Sequence, residues 1–478
     1  MEDIIIYNGI IVTMAIENGT GLINNGAIAI KGDIITDVGE TKNILKQFKA
    51  HRYIDAKGEV IMPGLIDTHM HSGIALFKGL AQDTSNWLQG CIWPLVEEIH
   101  VQEALKGSMV MISEAVKAGT TTMCDYDNPM REIVQNHIKI GTRACATQEI
   151  NALPLNASET PIGELYPLDS SVENSRLEES KKLIEEYHNS YNGRITCMLG
   201  PQAPDRVTKG LLNEVNELSK KYALNIHMHV ACGTREMNQM LLRYGKRTIP
   251  FLDEIDFLNE RLVGIHLSVA TTNELKMYAQ SGTAMVLCSG SEAIIDGNIP
   301  PALKFSKYSN RLALGSDQTP GGNSSNMFNE MKLTALLNKC KYNNPTIFPS
   351  WKVLRMATID SAKAIGMDSI IGSIEKGKKA DMIIINFMLP HLTPIILEPI
   401  RNIVPNLVYA ANGSEVTTSI INGEVVMEDH CLTNVNEKEI IEQANEAAKS
   451  VMKRAKEKVM SKETEMIQMM RKNEYNLI

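Results

Sequence analysis

The sequence predicts an α/β protein, a (β/α)8 TIM barrel joined to a small β-sandwich domain that both chain ends build. Three observations predict it. Eight short apolar runs recur between residues 60 and 315, with amphipathic stretches between them. Segments of β character with tight turns fill residues 1–58 and return near residues 381–427. Five of the eleven histidines fall at the C-terminal ends of three runs, and an aspartate follows the last run.

The first element is the β-rich start. Residues 4–7, 10–13, 27–30, 34–38 and 52–55 read as strands, separated by Asn8-Gly9, Asn25-Gly26 and Lys31-Gly32-Asp33. The matching texture at 381–386, 416–421 and 424–427, with Asn422-Gly423 as a hairpin turn, places 1–58 and 373–430 in one composite domain. Between them, residues 59–372 form the barrel. Its runs are 60–66, 120–126, 143–150, 194–200, 225–230, 261–267, 283–288 and 311–315. A doubly wound open sheet is the alternative, and no Gly-x-Gly-x-x-Gly turn opens the first unit to support it. Residues 431–478 form a charged helical tail with no chemistry assigned.

Composition narrows the class. The 478 residues are 44% hydrophobic and 22% charged, ordinary for a globular chain, and methionine-rich with only 5% aromatics. A net charge of −8 argues against nucleic acid or an anionic membrane as partner and favours a small-molecule substrate. No run reaches the ~18 apolar residues that span a bilayer. The N-terminus lacks a basic, signal-like region. Eight scattered cysteines without Cys-x-x-Cys fit free thiols in a reducing compartment, hence the cytoplasm.

Barrel chemistry sits at the C-terminal strand ends. Run one leads into His69 and His71, an i, i+2 pair that a strand projects on one face. Run five carries His227 and His229, run six His266, and run eight leads into Asp317. Imidazoles and one carboxylate around a barrel mouth describe a catalytic metal site with open positions.

These residues carry a resemblance. PGLIDTHMH at 63–71, the later HMH, the strand-six histidine and Ser316-Asp317 resemble the amidohydrolase superfamily. The segments Ala75-Leu76-Phe77-Lys78-Gly79, Trp87-Leu88, Ile92-Trp93-Pro94 and Ala118-Gly119-Thr120-Thr121-Thr122 are similar to one branch of it. Leu354-Arg355-Met356-Ala357-Thr358 and the stretch from Gly372 to Asp381 extend the similarity. That branch holds adenosylhomocysteine/methylthioadenosine deaminases, guanine and cytosine deaminases, and triazine chloro- and aminohydrolases. The resemblance implies that His69, His71, His229 and Asp317 bind one divalent ion, zinc or iron. It implies that His266 contacts the activated water or the metal, and that Asp317 accepts and passes on a proton. His227 is expected to be supporting structure. Relatives are often dimers or larger, so a homo-oligomer is an open expectation.

The substrate shell departs from the branch. Its deaminases carry His-x-x-Glu at the strand-five ligand, and here Cys232 stands where that glutamate is expected. Cys232 is either a thiol with a role or a small residue that enlarges the pocket, and Glu236 lies one helical turn further on. Strand four offers Gln202 where a substrate-touching histidine is common. Strand seven reads Cys288-Ser289-Gly290-Ser291-Glu292, and residues 321–326 form a loop able to shape a lid. Glu292 is the first candidate to replace the missing glutamate, with Asp125, Asp127, Glu149 and Asp205 behind it. Trp87 is placed to stack on a planar substrate or simply to pack. The expected activity is hydrolysis of a nitrogen heterocycle, a purine, pteridine, pyrimidine or aminotriazine, with release of ammonia. Expulsion of a halide, alkylamine or ring amide is the alternative, and a non-catalytic metal- or ligand-binding relative the third reading.

Overall fold

The computed structural model describes residues 1–16, 21–155, 157–161 and 163–472, so the last six residues of the tail lie outside it. Eight parallel strands form the barrel: Leu65–His71, Thr120–Asp127, Arg143–Ile150, Ile195–Pro201, Ile226–Val230, Leu262–His266, Ala284–Leu287 and Leu312–Leu314. They pair in sequence order. A two-residue continuation, Asp317–Gln318, returns to pair with Met70 and His71 of the first strand and closes the ring. Helices such as Val101–Lys117, Lys209–Tyr222 and Met327–Lys341 follow strands one, four and eight. Their buried faces are aliphatic and methionine-rich.

The seam between strands one and eight is tight. Asp67 accepts from the Ser316 and His69 amides at 3.0 and 3.2 Å and from the Ser316 hydroxyl at 2.5 Å. The Thr68 hydroxyl donates to the Leu314 carbonyl at 2.6 Å. Any Cβ at Gly315 would come within 2.9 Å of His69 backbone, so only glycine lets the last strand approach.

The chain ends share a second sheet. Glu2–Val12, Leu22–Lys31, Ile34–Glu40, Ala50–Asp55 and Val60–Pro63 come from the front of the chain. Met382–Ile385, Val416–Ile421, Glu424–Glu428 and Cys431–Leu432 come from the rear. One isoleucine-rich core holds both sets together. The rear hairpin turns at Asn422 (φ 53°) and Gly423 (φ 80°), the left-handed pair that Asn-Gly turns supply.

The apolar run 60–66, expected to be one barrel strand, is two elements. Val60–Pro63 pairs antiparallel with Met382–Ile385 in the terminal sheet, and the barrel strand starts only at Leu65. The break is Gly64, whose amide donates to Asp381 O at 3.1 Å. A Cβ there would lie 2.1 Å from the Thr121 side chain. Hydrophobicity continues through the break because both elements are buried.

The tail folds as Glu437–Ser461 and Glu465–Lys472. Val451 and Ala455 of its long helix join Phe77 and Leu95 in a core that supports the segment after the first strand. Glu465 then accepts from the hydroxyls of Thr84 and Ser85 at 2.5 and 2.6 Å, just before Trp87. Residues 321–326 are not a free lid. Gly321 and Gly322 are buried in a short helix, Thr319–Gly322, with Gln82 bonded to the carbonyls of Pro320 and Gly321.

Candidate metal centre and active site

The strand ends bring one donor set together. Ligand atoms of His69, His229, His266 and Asp317 all lie within 4.8 Å of one another, and all four residues are buried. His71 Nε2 sits 3.1 Å from His69 Nε2 and 3.6 Å from Asp317 Oδ1, with His69 Nε2 at 3.5 Å from the same oxygen. His266 Nε2 is 3.9 Å from Asp317 Oδ2.

Two of the rings are oriented by their other nitrogen. His69 Nδ1 meets His227 Nε2 at 3.0 Å, and His229 Nδ1 donates to the Gln202 carbonyl at 2.9 Å. That leaves the Nε2 lone pair of each facing the cluster. Burial pulls His69 down to about 4 and His229 well below the usual imidazole range, so both rings are neutral. Burial opposes ionisation of Asp317, but the His69 ring 3.5 Å away and the nearby His266 charge hold it well below the usual carboxylate range. Neutral imidazoles and an ionised carboxylate facing one point are the donor set of a divalent cation.

The backbone bends to aim these groups. His266 (φ 77°) and Asp317 (φ 62°) both adopt left-handed conformations, as does Ala231 (φ 49°) just past the fifth strand. Each costs a non-glycine residue roughly 1–3 kcal/mol, strain of the kind that gathers at functional sites.

A family model described as the amidohydrolase family matches residues 60–426, which contain every donor named above.

The chain belongs to the amidohydrolase family.

A 5'-deoxyadenosine deaminase of Methanosarcina acetivorans is 32% identical over 458 residues, covering 95% of this chain and 100% of the relative. A 5-methylthioadenosine/S-adenosylhomocysteine deaminase of Thermoanaerobacter pseudethanolicus is 31% identical, over 91% of this chain and 96% of its own length. Among solved structures, a zinc-bound adenosine deaminase from Xanthomonas campestris superimposes with a TM-score of 0.86 at 24% identity, covering 94% of this chain and 99% of that one. An atrazine chlorohydrolase from Arthrobacter aurescens gives 0.82 at 18%, covering 93% and 100%. These likenesses confirm the barrel and its companion sheet. Among the described residues, no helix is long and apolar enough to cross a membrane.

The amidohydrolase centre opens into a cavity of about 440 Å³ lined by Trp87, Gln202, Cys232 and Glu292, among others. Glu292 is buried; its Oε1 lies 2.9 Å from His266 Nδ1 and its Oε2 accepts from Ser268 at 2.6 Å. Burial alone would depress His266, but the Glu292 and Asp317 carboxylates raise it to about 9. Of the other acids named from sequence, Asp125 is committed to Ser72 and His137, Asp127 to the Gly73 amide, and Asp205 to Arg235. Glu149 lies 3.7 Å from Arg176. Glu236 accepts from the Ala231 and Cys232 amides, both at 2.9 Å, and from Thr248 at 2.6 Å, so it clamps the strand-five turn.

Trp87 borders the cavity, as does Asp296. Gln202 contributes its backbone carbonyl to His229, while its side-chain Oε1 is buried without a partner among the described residues. Cys232 is partly exposed to the cavity, and burial, then the nearby Glu236 carboxylate, push its thiol well above the usual range. A protonated thiol is a poor nucleophile. Peptide mapping after iodoacetamide treatment near pH 7.5 should therefore find the exposed Cys340 and Cys431 alkylated and Cys232 intact; Cys232 alkylated first would reverse this view.

Two groups escaped the sequence reading. Ser291 donates to Asp317 Oδ2 at 2.5 Å, yet a serine on a helix after strand seven carries no signal of its own. Arg206, just past strand four, is buried at the cavity wall. Its place in a strand-end loop was the available signal, as it was for Gln202.

Proposed function

We propose that the protein is an aminohydrolase that replaces the exocyclic amine of an adenine-type ring in a nucleoside derivative by oxygen, consuming water and releasing ammonia. The observation that carries this reading is the convergence of His69, His229, His266 and Asp317 beside the cavity. Full-length similarity to deaminases of adenosine derivatives supports the substrate class. His69, His71, His229 and Asp317 would hold the ion, with His266 adjoining, and the donor chemistry suits zinc. The ion supplies a Lewis acid that makes a water nucleophilic near neutral pH.

The chain's own groups position and move protons. His227 keeps His69 Nε2 turned to the centre, and Ser291 fixes Asp317 by its Oδ2. Asp317 Oδ1 is the atom placed to receive a proton from the attacking water. Deamination also needs a proton at a ring nitrogen and at the departing amine. With Cys232 at the strand-five position, Glu292 is the carboxyl we assign to that transfer, through its contact with His266 Nδ1.

The test is ammonia release by zinc-loaded protein from adenosine, 5'-deoxyadenosine and 5'-methylthioadenosine, against pterin and aminotriazine controls. Glu292→Gln should lower kcat by about 10²–10⁴-fold. A rate within threefold of the parent removes Glu292 from the mechanism. The uncharged thiol at Cys232 favours a second reading, expulsion of a group that needs less protonation. Loss of ring absorbance without ammonia would select it.

A further inference from the structure

We propose that Arg206 anchors an anionic group on the substrate, so that the ring attacked at the metal centre carries a carboxylate or a phosphate. The ring itself rests on the deaminase reading; the charge rests on the following observations.

Arg206 is only 8% exposed, and its guanidinium lies over the Trp93 ring at 5.5 Å. Trp93 packs edge-on against Tyr166 at 5.7 Å, which holds this platform in place. Buried cations are normally paired, because an unpaired charge in a low-dielectric site loses its hydration without compensation. Arg206 is not paired: its Nε is buried without a hydrogen-bond partner, and no carboxylate forms an ion pair with it among the described residues. The adjacent acid, Asp205, meets Arg235 through Oδ2 at 2.7 Å, and its Oδ1 is buried without a hydrogen-bond partner, from Arg206 or any other described residue. Two guanidinium groups thus stand beside one carboxylate that bonds only Arg235 among the described residues, and both line the cavity that contains His266 and Asp317. The third arginine at the cavity, Arg176, has Glu149 within 3.7 Å.

The strand-five departure fits this imbalance. Cys232 lines the same wall with a neutral thiol. A glutamate at that position would place a carboxylate near Arg235 and Arg206, whereas the cysteine leaves the positive charge for a ligand to neutralise. Burial, with Arg235 close by, already depresses the Arg206 guanidinium, and a bound oxyanion would reverse that penalty. Guanidinium is well suited to the task, because its planar fork meets carboxylate and phosphate alike.

The experiment compares ligands that differ in charge at one end. Adenosine 5'-carboxylic acid, its neutral 5'-carboxamide and adenosine 5'-monophosphate are titrated calorimetrically into zinc-loaded Asp317→Asn protein. The titrations are repeated with Arg206→Met and Arg206→Lys added. At least one charged ligand should bind about 10–100-fold more tightly than the carboxamide. That advantage should vanish in Arg206→Met and persist in part in Arg206→Lys, which also shows that the site still folds. Preference for the carboxylate alone, the phosphate alone or both identifies the source of the anion. Equal affinities for charged and neutral ligands overturn the proposal, as does a charge preference that survives Arg206→Met. Failure of the parent enzyme to release ammonia from any ligand, with the charge preference intact, would sink the deaminase reading and leave the anion site standing.

Discussion

Asp317→Asn should lower ammonia release by at least about a thousandfold, or about 4 kcal/mol of transition-state stabilisation, while the protein stays folded. Asparagine is nearly the same size and tolerates the left-handed backbone at this position (φ 62°). The oxygen of its amide can still accept from Ser291, so the turn that closes the barrel keeps its bond. The loss is confined to the negative charge beside His69, His71 and His266 and to the capacity to take a proton. Metal content should be measured alongside the rate, because a fall in both assigns the effect to ligation and a fall in rate alone assigns it to proton transfer. A variant that keeps a tenth of the parental rate at full metal content would remove Asp317 from the chemistry.

The largest expected effect on stability is at Arg143→Met. This fully buried arginine on the third barrel strand forks onto Asp381 with bonds of 2.5 and 3.1 Å, and also donates to Asn422 at 2.9 Å. Asp381 and Asn422 belong to the rear half of the chain, the first just before strand Met382–Ile385 and the second in the rear hairpin turn of the terminal sheet, so the pair ties one structural unit to the other. Removing the guanidinium leaves a buried carboxylate that, among the described residues, keeps only its bond from the Asn422 amide, at a cost of about 3–5 kcal/mol. Urea unfolding should show an earlier midpoint, and adding Asp381→Asn should recover part of the loss, because the uncompensated charge is then gone. A midpoint unchanged within error in Arg143→Met would show that the ion pair holds nothing together.

The legible parts of this protein were those with a short period or a position at an element end. His69 and His71 could be read because alternate residues of a strand share a face, and His229, His266 and Asp317 because each ends or follows an apolar run. The same alternation sets His227 on the face of His229 without telling the two apart; the resemblance alone made His227 supporting structure, and its ring meets His69 Nδ1 at 3.0 Å. The division at Gly64 could not be read, since hydropathy does not change when a buried strand leaves one sheet and enters another. Pairings across the mouth were equally hidden. Glu292 against His266 joins residues 26 apart, and Ser291 against Asp317 also spans 26; nothing local records either distance in space. Arg206 was missed for a related reason. A sequence shows an acidic neighbour, Asp205, and only coordinates show that Arg235 has already claimed it.

The seam of the barrel has a consequence for the fate of the chain when metal is scarce. Backbone pairing there amounts to two residues, Asp317 and Gln318, against Met70 and His71. Donors project from both sides of that joint, His69 and His71 from one and Asp317 from the other. Coordination by these residues would therefore bridge that joint, and its free energy would add to that of closure with the logarithm of free metal concentration. Starvation for the ion would loosen this joint before it disturbs the aliphatic core, so the cell's metal supply would govern how long the polypeptide survives as well as whether it turns over.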